Sequence, residues 1–249
     1  MQISFPVRKA GLAGAVSAAL LAACGGSDTA DFVIPQLAAA QAAALSGDCA
    51  GLSARISGLA NTTVTAVNTI AAGTLKVAGV DVPEHCQVTG KMFQRTGIDG
   101  NAYAIGFEIR LPKAWNGRFY HQGNGGIDGS VVTGLGGLGG GPLTGALLQG
   151  FAVLSSDAGH SGGAPDFGVD PQARLDYGYQ AVGKLTPMAK SVIQSAYGRG
   201  PDRSYFGGCS NGGRHAMVTA TRYPNDYDGI LVGSPGYNLP KAAVANLAG

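Results

Sequence analysis

Charged residues are scarce in this chain, and their scarcity argues against several classes of protein. Only 13% of the 249 residues are charged, and the net charge is +2, against a usual charged fraction of about a quarter. So small a net charge argues against nucleic acid or an anionic surface as a partner. A P-loop is excluded because no G-K-[ST] sequence follows a glycine loop, and no residue cluster has metal-ligand spacing.

Long apolar runs are also missing, apart from one stretch near the N-terminus. Residues 10–23 are apolar and follow Arg8 and Lys9, but they are too few and too small for a convincing transmembrane span. The pattern predicts a signal peptide over residues 1–23. Because Cys24 ends a sequence that resembles a bacterial lipobox, we expect an exported protein, either a lipoprotein tethered to the outer membrane or a periplasmic or secreted protein. Ordinary cleavage with an incidental Cys24 is the alternative.

Cysteine is rare as well, with four residues in all. In an oxidising compartment the natural disulfide joins Cys49 to Cys86 and closes a loop across the N-terminal region. Cys209 is then left over, either as a free thiol or with its partner outside this chain.

Glycine is abundant instead, with 42 residues, and apolar periodicity divides the chain into alternating strands and helices. We predict a tether over residues 24–48 and an α/β catalytic domain with a parallel sheet over residues 49–249. The predicted strands cover parts of 64–82, then 103–111, 118–121, 151–156, 204–207 and 228–233. The predicted helices cover 143–148, 175–197 with a kink at Pro187, and 213–223.

The pattern G-x-S-x-G occurs twice, around Ser161 and around Ser210. A nucleophile elbow needs a strand before the serine and a helix after it. Ser210 has both, whereas the sequence after Ser161 cannot start a helix promptly. We therefore predict Ser210 as the nucleophile. The backbone N–H groups of Asn211 and Gly123 are the predicted oxyanion donors, since Gly123 begins the loop after an earlier strand.

The four histidines offer no obvious base for this serine. His85 is predicted to be structural. His121 ends a strand and His160 follows one, so both are candidates to line the site, but a structural role is favoured over a catalytic one for each. His215 follows Ser210 on the same helix, so its ring should point away from the hydroxyl.

Two other functions stay open at this point. Residues 134–139 fit G-x-G-x-x-G with Asp157 about twenty residues further on, as a dinucleotide-binding oxidoreductase would require. A non-catalytic, lipid-tethered binding module is the second alternative.

Several segments in order resemble the tannase and feruloyl esterase family, and especially its branch of bacterial mono-(2-hydroxyethyl) terephthalate hydrolases. The sequence Gly208-Cys209-Ser210-Asn211-Gly212-Gly213-Arg214 resembles the elbow of that family, in which a cysteine precedes the nucleophile. Further matching segments are Glu84-His85-Cys86, Arg95–Gly100, Trp115–Phe119, Asp170–Asp176, Tyr227–Ile230 and Pro235–Lys241.

The resemblance implies an α/β-hydrolase fold that hydrolyses esters of aromatic acids through a serine acyl-enzyme, without a cofactor. It also implies the Cys49–Cys86 disulfide, and a disulfide from Cys209 to a cysteine beside the catalytic histidine. In the family, the lid domain with its calcium site, the triad acid and the triad histidine come later than the segments matched here. We therefore expect an α/β-hydrolase that is incomplete at its C-terminus, with its acid and base not in this chain and with little activity alone.

Overall fold

A computed structural model of the chain describes residues 37–138, 144–238 and 241. Contacts divide the chain into Met1–Ala39 and Ala40–Gly249, and the description that follows concerns the second unit. The predicted signal peptide, Cys24 and the predicted tether as far as residue 36 lie outside the described residues.

The centre of the described part is a seven-stranded sheet. Its strands are β1 Thr62–Ile70, β2 His85–Thr96, β3 Ala102–Pro112, β4 Arg118–Gly123, β5 Ala152–Ser156, β6 Arg203–Cys209 and β7 Gly229–Gly233. The order across the sheet is β7-β6-β4-β5-β3-β2-β1. Strands β4 to β7 run parallel to one another. Strand β3 is antiparallel to both β5 and β2, and β2 is antiparallel to β1.

The prediction of a parallel sheet is therefore wrong for β1 to β3, and the connections give the reason. Strands β2 and β3 are joined by a tight turn over residues 97–101, in which the Gly97 N–H donates to the Asn101 carbonyl at 2.8 Å. A parallel pair needs a crossover of a dozen or more residues, so a turn this short enforces antiparallel pairing.

Four α-helices accompany the sheet within the described residues. They are α1 Cys49–Arg55, α2 Pro171–Leu175, α3 Ala181–Tyr197 and α4 Asn211–Arg222. A turn of π-helix over Asp176–Gln180 separates α2 from α3, so the helix predicted from residue 175 to 197 is interrupted near its beginning. Pro187 lies inside α3, as predicted.

The predicted short helix over residues 143–148 is wrong in its described part. The N–H groups of Ala146 and Leu147 donate to the carbonyls of Gly136 and Leu135, at 3.2 and 3.1 Å. Because these N–H groups bond to a neighbouring loop and not to carbonyls four residues earlier, no helix forms. The segment instead forms turns over residues 146–150.

Side chains of alternate strand residues fill two hydrophobic clusters, as a period of two requires. Phe119, Leu154 and Phe206 belong to the larger cluster, which includes buried residues of α1, α3 and α4. Tyr120 and Val153 belong to a smaller one that also contains Ala146 and Leu147. Strands β4 and β5 therefore bury apolar side chains on both faces.

The segment before α1 packs on the domain. Ala43–Ala44 pairs with Ala114–Trp115 as a short antiparallel ladder, and the Ser46 N–H donates to the Ala196 carbonyl at 2.8 Å. The Cys49–Cys86 disulfide joins α1 to β2 with a Cα–Cα distance of 5.4 Å, so this predicted pair is present. These contacts begin the packed domain earlier than the boundary predicted at residue 49.

Candidate active site

Ser210 lies at a sharp turn between β6 and α4. Its backbone has φ 59° and ψ −118°, which is unfavourable for a residue with a Cβ; such conformations cost about 1–3 kcal/mol and persist only where the surrounding structure enforces them. Three backbone hydrogen bonds do so here. The Ser210 N–H donates to the Gly233 carbonyl, and the Ser210 carbonyl accepts from Arg214 and Gly236, all at 2.9–3.1 Å. The side chain is exposed.

The glycines beside Ser210 allow the backbones to approach closely. A Cβ on Gly208 would lie 2.5 Å from the Gly212 carbonyl carbon, and a Cβ on Gly212 would lie 2.3 Å from the Gly123 carbonyl oxygen. No side chain tolerates such distances. The glycine pattern of the elbow therefore follows from the contact between the first turn of α4 and the end of β4.

The ends of β4 and β6 lie side by side, with Gly123 opposite Gly208 in the parallel register. Asn211 is the first residue of α4, where backbone N–H groups have no acceptor within the helix and the helix dipole is positive. Ser210, Gly123 and Asn211, predicted together from the sequence, thus come from neighbouring elements at one edge of the sheet.

A buried polar network lies beside this edge, and sequence reasoning missed its central residue, Asp128. One carboxylate oxygen, Oδ2, accepts from Asn211 Nδ2 at 2.6 Å and lies 2.8 Å from His215 Nε2. Asn211 Oδ1 in turn accepts from Tyr177 Oη at 3.0 Å and from Arg214 Nε at 2.7 Å. Asp128 is in the loop that follows Gly123, within the glycine-rich sequence of residues 123–141, where nothing in the sequence indicates a buried carboxylate.

Three histidines, on β4, after β5 and on α4, are buried near this edge, and each has an environment of its own. His121 Nδ1 lies 2.8 Å from Tyr227 Oη, and burial lowers the pKa of the His121 ring to about 3. His160 stacks on Phe167 with ring centroids 3.7 Å apart, and burial lowers its pKa as well. All three are at most 4% exposed. His121 and His160 therefore do not line an open site, and their burial agrees with the structural role favoured for each. His215 contacts Asp128, as described above.

The rival motifs lack the structure that their functions need. Ser161 is followed by a bend and a 3-10 turn over Pro165–Val169 rather than by a helix. Residues 134–138 form an irregular loop, Gly139 lies outside the described residues, and the next described residues, 144–150, contain turns rather than a helix. Asp157, the candidate ribose ligand, is buried and accepts from the N–H groups of Gly106 and Gly159 at 2.9 and 2.8 Å. Its carboxylate is therefore directed at the protein.

A groove of about 420 Å³ lies beside Ser210 and Gly123. Its apolar wall comes from Val132, Leu135 and Leu138 of the glycine-rich loop. Two side chains from the sheet hold this loop in place. Glu108 Oε1 accepts from the Gly134 N–H and Gln122 Oε1 accepts from the Gly136 N–H, each at 2.8 Å.

Cys209 has a free thiol that is partly exposed and lies next to Ser210 at the groove. Across residues 37–138, 144–238 and 241, no group of three or more His, Cys, Asp or Glu side chains is placed to ligate a metal ion. In the same residues, no helix is long and apolar enough to cross a membrane.

A mixed sheet whose parallel half ends in a strand–turn–helix elbow defines the class of this protein as an α/β-hydrolase. Solved structures share the fold. An esterase from Aspergillus oryzae superposes with a TM-score of 0.64 at 28% identity, covering 77% of this chain and 38% of that one. Feruloyl esterase B from the same organism gives 0.61 at 25% identity, covering 76% and 38%.

The family model for tannase and feruloyl esterase matches residues 86–248, and the chain belongs to this family of ester hydrolases. It is 46% identical over 173 residues to mono(2-hydroxyethyl) terephthalate hydrolase of Piscinibacter sakaiensis, covering 66% of this chain and 29% of the relative. It is 31% identical over 228 residues to a probable feruloyl esterase B-2 of Aspergillus oryzae, covering 83% and 40%. The chain thus spans well under half of the length of either relative.

Proposed function

We propose that this chain carries the nucleophile and the oxyanion site of a serine esterase. The observation that supports this best is the strained, exposed Ser210 at the N-terminus of α4, directly beside the loop that begins at Gly123. In the proposed reaction the Ser210 hydroxyl oxygen attacks the ester carbonyl carbon while its proton passes to a base. The carbonyl oxygen becomes an oxyanion that accepts hydrogen bonds from the backbone N–H groups of Gly123 and Asn211.

The tetrahedral intermediate then expels the alcohol, which leaves an acyl group on Ser210, and water hydrolyses this acyl-enzyme. His121, His160 and His215 are buried in contacts of their own, so we propose that the base and its acid partner lie outside the described residues. The expected consequence is slow turnover by this chain alone. Active sites that lose a triad member keep only the acceleration provided by the oxyanion site and binding, about 10³–10⁴-fold over water.

The groove beside Ser210 supports esters of aromatic acids as substrates. Its wall of Val132, Leu135 and Leu138 is apolar, and a flat ring buries more apolar surface against such a wall than a short aliphatic acyl group does. The names of the relatives agree, since they include a terephthalate monoester hydrolase and feruloyl esterases.

We also propose that the chain is exported and that lipid on Cys24 tethers it to a membrane face. The apolar stretch that ends at Cys24 supports this, and the Cys49–Cys86 disulfide agrees with an oxidising compartment. Metabolic labelling with a radioactive fatty acid in a bacterial host should label the unsubstituted chain but not Cys24→Ala. Equal labelling of both would refute the tether.

Acylation by an activated aromatic ester tests the proposed nucleophile. With p-nitrophenyl benzoate in large excess, mass spectrometry should find one benzoyl group, located on Ser210. Ser210→Ala should abolish the adduct, whereas Ser161→Ala, a matched change in the other G-x-S-x-G sequence, should leave it intact. An adduct that persists in Ser210→Ala would refute the proposal, and fast serine-dependent turnover would show that the chain contains its own base.

A further inference from the structure

We propose that Asp128 is a positioning residue that fixes the two backbone segments of the oxyanion site relative to each other. The inference rests on the proposed function, because it assigns a role to Asp128 in the same site. Asp128 lies in the loop that begins at Gly123, and its carboxylate reaches the first turn of α4. It therefore connects the element that carries one proposed donor to the element that carries the other.

The hydrogen bonds concentrate on a single oxygen atom. Asp128 Oδ2 accepts from Asn211 Nδ2 at 2.6 Å and from His215 Nε2 at 2.8 Å. Asn211 and His215 are four residues apart on α4, so both contacts fall on one side of the helix. The Asp128 side chain is 2% exposed and that of His215 is 5% exposed. Water therefore competes little with these bonds.

The Asn211 side chain is held from its other end as well. Its Oδ1 accepts from Tyr177 Oη and Arg214 Nε, and the Arg214 guanidinium lies 4.3 Å from the centroid of the Tyr177 ring. Two donors at Oδ1 and a carboxylate at Nδ2 determine which way the amide points. Because hydrogen bonds hold both ends of the Asn211 side-chain amide, the orientation of the Asn211 backbone N–H is restricted as well.

His215 acts in this network as a neutral donor. Burial lowers the pKa of its ring, although the neighbouring Asp128 opposes the change. A neutral imidazole beside a carboxylate carries its proton on Nε2, the nitrogen that faces Asp128. The nearby Arg214 guanidinium therefore cannot donate to that nitrogen, and the ring binds Asp128 as a second support for the helix.

The loop that carries Asp128 is itself fixed by backbone hydrogen bonds. Asp128 has φ 60°, and its N–H donates to the Gly125 carbonyl at 3.3 Å. The Gly129 N–H donates to the Asp157 carbonyl, and the Gly129 carbonyl accepts from Gly162 at 2.9 Å. A carboxylate on a fixed loop is able to position a helix, whereas one on a mobile loop would only follow it.

The test compares Asp128→Ala and Asp128→Asn with Asp166→Ala, a control at an exposed acid in a nearby turn. Hydrogen exchange measured by mass spectrometry should be about tenfold or more faster in Asp128→Ala over residues 123–129 and 210–216. Asp128→Asn keeps one acceptor oxygen and should lie between Asp128→Ala and the unsubstituted chain, and Asp166→Ala should match the unsubstituted chain.

The rate of benzoylation of Ser210 is the second measurement. It should fall by about 10–100-fold in Asp128→Ala, the usual cost of displacing a catalytic group by about 1 Å, and by less in Asp128→Asn. Unchanged exchange in both variants would overturn the proposal, and so would faster exchange with an unchanged acylation rate, since the contact would then be only structural. No acylation of the unsubstituted chain would instead refute the proposed function, and exchange alone would then decide whether Asp128 holds the two segments together.

Discussion

Replacing Asp157 by Asn should change how the stability of this protein depends on pH. Asp157 is 9% exposed. Burial raises the pKa of its carboxyl from an ordinary 3.8 to about 7, with a smaller contribution from the charge of Asp128. The N–H groups of Gly106 and Gly159 donate to Oδ1 and act in the opposite direction, but burial dominates.

The direction of the effect follows from the protons bound in each state. Between about pH 4 and pH 7 the folded chain keeps a proton on Asp157 that the unfolded chain has lost, so the free energy of unfolding falls as the pH rises. The contribution is complete below about pH 4 and absent above about pH 7. Each unit between the two pKa values corresponds to about 1.4 kcal/mol, which gives roughly 4 kcal/mol in total and roughly 3 kcal/mol between about pH 5 and pH 8.

Urea unfolding followed by the fluorescence of Trp115, the one tryptophan of the chain, measures this effect. Asp157→Asn keeps an oxygen that accepts from both N–H groups, but its amide cannot titrate. The free energy of unfolding of this variant should therefore not show the fall of about 3 kcal/mol between about pH 5 and pH 8. The buried histidines have lowered pKa values and oppose the trend in both chains, so the quantity to compare is the difference between the variant and the unsubstituted chain. The same pH dependence in both would refute the reasoning, and Asp166→Asn, at an exposed site, is the control.

Two further changes test the disulfide and the elbow. Replacing Cys49 and Cys86 together by Ala should lower the free energy of unfolding by about 4 kcal/mol, because the disulfide spans 37 residues; urea unfolding measures this, and a loss below about 1 kcal/mol would contradict it. Gly212→Ala should destabilise the chain by about 1–3 kcal/mol and slow the benzoylation of Ser210, because the new Cβ would lie 2.3 Å from the Gly123 carbonyl oxygen. Gly168→Ala, whose Cβ would meet nothing within 4 Å, should change neither quantity.

The elbow was predictable because its signal is local. A strand over residues 204–207, a serine between glycines and a helix from residue 213 are all readable within about twenty residues. The structure has these elements as Arg203–Cys209 and Asn211–Arg222. The strands predicted at 103–111, 118–121 and 151–156 are also confirmed, as Ala102–Pro112, Arg118–Gly123 and Ala152–Ser156.

Asp128 was not predictable, because its importance depends on contacts far along the chain. Its partners Asn211 and His215 are 83 and 87 residues away, and an aspartate in a glycine-rich segment reads simply as a turn residue. The same limit explains His121, which bonds to Tyr227 at a separation of 106 residues. Periodicity indicates which face of a strand is buried, but it does not reveal which polar residue from a distant part of the chain will contact that face.

The described part of the glycine-rich loop beside Ser210 is held by side chains of the sheet. Glycine lets the backbone approach closely, but it provides no side chain to hold the loop, so the anchors must come from other elements. Glu108 and Gln122 supply them by accepting from the N–H groups of Gly134 and Gly136. Glu108 is itself neutralised by Arg110 at 2.6 Å, which makes its burial tolerable. Buried polar residues of the sheet thus fix the loop that supplies the apolar wall of the groove, and the position of that wall depends on them.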